Sequence, residues 1–209
     1  MKTNFRQSLD SYHARGNEIR LLEVPPLQYL MIDGHGDPNS SPEYTEALRV
    51  LYPYAFALKF TSKKVLGRDY VVPPLEGLWW AEDMAAFTTS RDKSAWNWTM
   101  MLMTPYWLTS EHLAAARDTV ASRKPSLPLE SVRVEVLEEG LSAQTLHIGS
   151  FEDEGPVLAD LHEHFIPEHG LVMTGRHHEI YLSDPRRTAP GNLKTILRQP
   201  VQLARPGLA

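Results

Sequence analysis

The stretch RHHEIYLSDPRR, residues 176–187, carries two histidines, a glutamate and a tyrosine on what reads as a single strand. Side chains alternate across a strand, so His177, Glu179, Tyr181 and Ser183 share one face and Ile180 and Leu182 the other. The two aliphatic residues suit packing under helices, which turns the carboxylate and the phenol toward the opposite side. Their alpha carbons lie roughly 7 Å apart, within reach of one ligand. A carboxylate removed from water holds its proton to higher pH and becomes a general base near neutrality. A phenol beside it donates a hydrogen bond or orients a water. The alternative for such a face is plain solvation, and the neighbouring aromatic-rich runs weigh against it.

Two of those runs bear directly on a binding site. In EGLWWAE (76–82), Leu78, Trp80 and Glu82 share a face, and Trp79 and Ala81 the other. Glu82 marks the ligand side, which assigns Trp80 to the site and Trp79 to the core. In AWNWTMMLM (95–103), Trp98 is expected to line the site and Trp96 its rim, with Asn97, Thr99, Met101 and Met103 on the opposite face. Met101 joins the substrate-binding candidates, together with His177. Four of the five tryptophans and four methionines fall within 79–103. Such side chains form adaptable apolar walls for a flat, polycyclic molecule, and they equally fill a core.

Other motifs fail on spacing. HEHFIPEH (162–169) is neither H-E-x-x-H nor H-x-x-E-H, and Pro167 is expected to break its helix, so it reads as a solvated helix end. His177, His178 and Glu179 alternate in direction and cannot all reach one ion. GHGDPN (34–39) lacks a third glycine, so Gly34 and Gly36 are assigned to a turn with positive φ. There is no G-x-S-x-G elbow and no phosphate-binding loop. Arg186 and Arg187 read as surface residues of a turn. The chain has no cysteine, which excludes disulfides, thiol nucleophiles and cysteine zinc sites. No metal and no cofactor is expected.

The elements that must position these residues occur twice. QYLMIDGHGDPNSSPEYTEAL (28–48) and QTLHIGSFEDEGPVLADLHEHF (144–165) each read as a strand, a polar turn, and an amphipathic helix with Pro42 or Pro156 in its first turn. The helix stripes are Tyr44, Leu48, Leu51, Ala55 and Leu58 in the first copy and Leu158, Leu161 and Phe165 in the second. Two strands follow each helix. The predicted fold is α+β: one domain over 1–209 made of two pseudo-twofold-related strand–helix–strand–strand modules with a ligand groove between them. Repeat one spans about 24–105, a connecting helix about 109–124, and repeat two about 131–203, opening with a strand at 131–139. At 209 residues, 42% hydrophobic and 22% charged, the chain can bury a sizeable core. A net charge of −5 with mixed signs disfavours sequence-independent binding to nucleic acid, and the roughly 20 residues before the first repeat are too few for a helix-turn-helix. No apolar run approaches a membrane span and no signal-peptide pattern opens the chain. The expectation is a cytoplasmic monomer or loose homodimer that binds a flat polyaromatic small molecule and neither nucleic acid nor membrane.

The twin layout resembles the GyrI-like small-molecule-binding domain, which also serves as the effector-binding half of bacterial transcription regulators. YLMIDGHGDPN, EGLWWAE, WNWTMMLMTP, HHEIYLSDPRR and LKTILRQPV are similar to a stand-alone branch of that family, over residue 20 to the C-terminus. APGNLKT (189–195) departs from the Pro-Glu-Lys of that branch within a turn. Members of the branch are cyclopropanoid cyclopropyl hydrolases, which open the strained ring of DNA-alkylating natural products of the yatakemycin and duocarmycin type and so protect the cell. The resemblance implies that chemistry here, with Glu179 as base and Tyr181 as hydrogen-bond donor or water-orienting group. A drug-sequestering binder and a regulator of a partner enzyme are the competing expectations.

Overall fold

The computed structural model describes residues 2–16, 18–82 and 92–204. The chain forms two compact units, one from Met1–Leu9 with Leu27–Leu137 and the other from Asp10–Pro26 with Glu138–Ala209. Both are mixed α+β with antiparallel sheets, the predicted class. Among the described residues no helix is long and apolar enough to cross a membrane.

In the first unit, four strands pair in the order β5 (Leu75–Trp80), β6 (Asn97–Thr104), β3 (Leu27–His35), β7 (Arg133–Leu137). A separate parallel ribbon joins β1 (Lys2–Thr3) to β4 (Asp69–Tyr70), and Phe5 of α1 (Phe5–Ser8) packs its ring on Tyr70 and Trp107. Helix α2 (Pro42–Val65) starts at Ser41, whose hydroxyl accepts from the Tyr44 amide, with Pro42 in the first turn where its missing N–H costs nothing. Ala47, Val50, Leu51, Tyr54, Ala55 and Leu58 form its buried stripe. Helix α3 (Ser110–Arg123) lies beside it, and the Tyr54 hydroxyl donates to the Leu113 carbonyl at 2.9 Å.

The second unit repeats the plan. Its strands pair in the order β10 (His177–Tyr181), β11 (Lys194–Leu203), β8 (Gly140–Ile148), β2 (Arg20–Val24), with β9 (Leu171–Met173) on the far end of β11. Its helical segment runs through α4 (Gly155–Ala159), a π-helical turn Asp160–Phe165, and α5 (Ile166–Glu168). Leu161 and Ile166 pack on Ala143, Leu171, Leu197 and Val201, flanked by Val157, Leu158 and Phe165. The expected stripe of Leu158, Leu161 and Phe165 is therefore intact. Pro167 does not stop the helix where the sequence indicated. It sits in the first turn of α5, just after the π turn has reset the hydrogen-bond register.

One feature of the chain course departs from the simple repeat. The strand at 133–137, expected to open the second module, pairs with β3 of the first unit. Conversely β2, immediately before β3 in sequence, pairs with β8 of the second. Each unit takes its edge strand from the chain leading into the other, a connection that hydrophobic periodicity does not encode.

Candidate functional site

Strand β10 holds His177, Glu179 and Tyr181, the residues that the sequence singled out. His178 and Ile180 are both fully buried on one face. His177, Glu179 and Tyr181 occupy the other, where Glu179 stands directly opposite Leu197 and Tyr181 opposite Thr195 on β11. Leu197 belongs to the cluster under the helical segment, so the Glu179 face is the helix-bearing face of this sheet. This corrects the expectation that Ile180 packs under the helices and Glu179 points away. The segment 155–168 comes down on the strand positions of the opposite parity.

The Tyr181 hydroxyl donates to Glu179 Oε2 at 2.8 Å, and the Phe151 ring meets the Tyr181 ring edge-on at 5.7 Å. His177 Nε2 lies 3.8 Å from Glu179 Oε1, outside hydrogen-bond range, and the two side chains are only 11% and 14% exposed. Burial pushes the Glu179 carboxyl up to about 7, opposed by the Tyr181 hydrogen bond and the charge of His178. Burial, reinforced by His162 and His178, holds His177 well below the usual histidine range. His162, from the π turn, sets its ring at 88° to that of His177 with centroids 5.4 Å apart, and burial lowers its pKa as well. Sequence reasoning missed His162, because HEHF was read as a solvated helix end. His164 is indeed exposed, but the wider π turn lets His162 face the strand. Among the described residues no group of His, Asp and Glu side chains is arranged to hold a metal ion.

The other sequence candidates lie in the first unit. Register sets Trp79 opposite Trp98 and Trp80 opposite Asn97. Trp98 is fully buried, meets Tyr44 of α2 edge-on at 5.4 Å, and donates from Nε1 to the Gly36 carbonyl at 3.2 Å. It therefore stands with Trp79 on the helix face, a correction to its expected place beside Trp80. Trp96 precedes β6 and packs edge-on against Trp79 at 5.7 Å. Trp80 is half-buried on the opposite face, which also presents Glu76, Leu78 and Met101. Glu82 lies beyond the end of β5 and is exposed. The parity that placed Trp80 also points to Glu76, which sequence reasoning passed over. Glu76 is fully buried, opposite Met101, and accepts from the Tyr29 hydroxyl at 3.1 Å. Gly36 adopts φ 91° as expected, whereas Gly34 lies within β3 and leaves room for the Trp98 indole.

A polar network occupies the far face of the second sheet. Arg198, 1% exposed, donates to Glu139 Oε2 at 2.7 Å, Gln144 Oε1 at 3.0 Å and the Ser11 carbonyl at 2.5 Å. His178 Nδ1 lies 2.9 Å from Glu139 Oε1. Burial would raise the Glu139 carboxyl, but His178 and Arg198 bring it down to about 2.

A family model described as the GyrI-like small molecule binding domain matches residues 17–202. A conserved protein from Listeria innocua is 37% identical, with a TM-score of 0.87 over 96% of this chain and 100% of that one. Two structures named as hydrolases from the same organism are 35% and 36% identical, with TM-scores of 0.83 and 0.86; they cover 96% and 97% of this chain and 100% of their own. The C-terminal domain of EcmrR shares the fold alone, at 9% identity and a TM-score of 0.54 over 90% of this chain and 98% of that domain. Comparison with curated proteins gives no match.

Proposed function

This chain belongs to the GyrI-like small-molecule-binding domain family, and we propose that it is a hydrolase that opens the cyclopropane ring of DNA-alkylating cyclopropanoid natural products by adding water. Two relatives at 35% and 36% identity are named hydrolases, which supports hydrolysis as the reaction class. The observation that carries the reading is the state of Glu179. It is a buried carboxylate with a pKa of about 7, its Oε2 held by Tyr181 at 2.8 Å. A base poised near the working pH combines a useful ionised fraction with the greatest proton affinity.

The substrate is a flat polyaromatic with a spiro-cyclopropane conjugated to a dienone. The water oxygen bonds to the ring methylene as the cyclopropane C–C bond breaks. That electron pair moves through the dienone to the carbonyl oxygen, which takes up a proton from solvent and becomes a phenol. Glu179 Oε1 accepts the proton that the water loses. Strain release supplies part of the drive, and the balance calls for no metal or cofactor. The Tyr181 hydroxyl donates to Glu179, which supports a role for Tyr181 in orienting the base. The product no longer carries its alkylating centre, so turnover protects DNA.

Incubation of substoichiometric protein with a cyclopropane-bearing alkylator tests the proposal. Accumulation of the water adduct over many turnovers supports it. Protection that stops at one equivalent, with intact compound recovered, replaces it with a sequestering binder.

A further inference from the structure

We infer that His177, together with Glu179, holds the attacking water at two points, an assignment that rests on the hydrolase reading above. Neither His177 nitrogen makes a hydrogen bond to a described residue, although both are buried. Buried polar atoms are nearly always paired, so a histidine with both nitrogens unmatched beside a carboxylate calls for a partner from outside the chain. Glu179 Oε2 is engaged by Tyr181 at 2.8 Å, which directs further hydrogen bonding toward Oε1. That oxygen lies 3.8 Å from His177 Nε2. The separation is too long for a direct hydrogen bond, and it is a distance that one oxygen atom spans at normal hydrogen-bond length from both.

A water in that position gives one hydrogen to Glu179 Oε1 and the other to the Nε2 lone pair. Its own lone pair is then directed away from both, toward the carbon it attacks. The arrangement needs His177 neutral with its proton on Nδ1. Burial and the neighbouring His162 and His178 favour the neutral ring. His162 meets it at 88° and fixes the ring plane. The titratable groups around the pair are Tyr181 and Glu179 on the same strand face, His162 on the covering helix, and His178 on the reverse of β10. The chemistry remains that of the proposed reaction: the proton goes to Glu179, and His177 positions the water without changing its own charge.

The test compares His177→Phe, which keeps a ring against His162 but removes both nitrogens, with His177→Gln, which restores a polar group near the same place. His177→Phe should lower kcat on the order of 10-fold to 100-fold with KM little changed, and His177→Gln should recover part of the loss. A high-resolution crystal structure should show an ordered oxygen between Glu179 Oε1 and His177 Nε2 in the wild type, gone in His177→Phe. Wild-type kcat in His177→Phe, alongside a dead Glu179→Gln, overturns the water placement and leaves the hydrolase reading standing. If the wild-type protein turns over no cyclopropanoid, the hydrolase reading fails and the diffraction result decides. An ordered oxygen lost with the imidazole supports the two-point site, and its absence from the wild type overturns it.

Discussion

Glu179 stands directly across the strand pair from Leu197, a residue of the apolar cluster beneath the helical segment. A carboxylate in that position gives up most of its hydration, and its proton affinity rises accordingly, to a pKa of about 7. The same placement that suits it to the proposed role of base makes it a liability to the fold.

That coupling predicts a pH-dependent stability difference. The folded-state pKa of Glu179 is raised, so the folded protein binds this proton more tightly than the unfolded chain. Wild-type stability should therefore fall as pH climbs from the ordinary carboxylate range to about 7. Glu179→Gln lacks this term and should gain on wild type by on the order of 3 kcal/mol at pH 8, with little gain at pH 4. Urea unfolding at the two pH values measures it. In the same variant turnover should drop by roughly 10²-fold or more while binding persists.

Tyr181→Phe separates positioning from proton transfer. The Tyr181 hydrogen bond lowers the Glu179 pKa, so its removal should move the rising limb of the kcat/KM profile to higher pH and reduce the rate at neutrality. An unmoved limb, with the rate simply scaled down, would assign Tyr181 to the substrate instead.

How much of this was legible from the residues alone depended on parity and register. The pairing of Glu179 with Tyr181 follows from a period of two and needs no neighbours. Which way that face looks depends on where residues 155–168 land, and only packing determines that. Trp80 and Trp98 fall on like faces of their own strands when each strand is read alone. The β5–β6 register sets Trp79, not Trp80, opposite Trp98, and one residue of offset sends them to opposite sides. His162 depended on a π turn, which a 3.6-residue period does not anticipate. The exchange of β2 and β7 between units is a matter of chain course, invisible to local pattern.

The tryptophans should accordingly respond differently to truncation. Trp98→Ala empties a fully buried site against Gly34 and Tyr44 and should cost about 3–5 kcal/mol of stability. Gly34→Ala attacks the same contact from the other side, because a Cβ there would lie 2.0 Å from the indole, and should also destabilise strongly. Trp80→Ala, at a half-buried position, should leave the fold largely intact. Thermal melts on the three variants distinguish these outcomes.

The network around Glu139 should govern acid stability. Its folded-state pKa is depressed to about 2, so the stabilisation is fully present above the ordinary carboxylate pKa and is lost as pH falls toward 2. Glu139→Gln should flatten that part of the curve. Removing only the cation is the harsher change. Arg198→Met strands the Glu139 carboxylate in the interior and strips the Ser11 carbonyl and Gln144 of their donor, which should cost about 3–5 kcal/mol. Neutralising both partners, as Glu139→Gln with Arg198→Met, leaves no unpaired charge and should cost less than Arg198→Met alone. Denaturant melts of the single and double variants at pH 7 test the order. A double variant weaker than the arginine variant would show that the carboxylate, even without its guanidinium, is held by His178 alone.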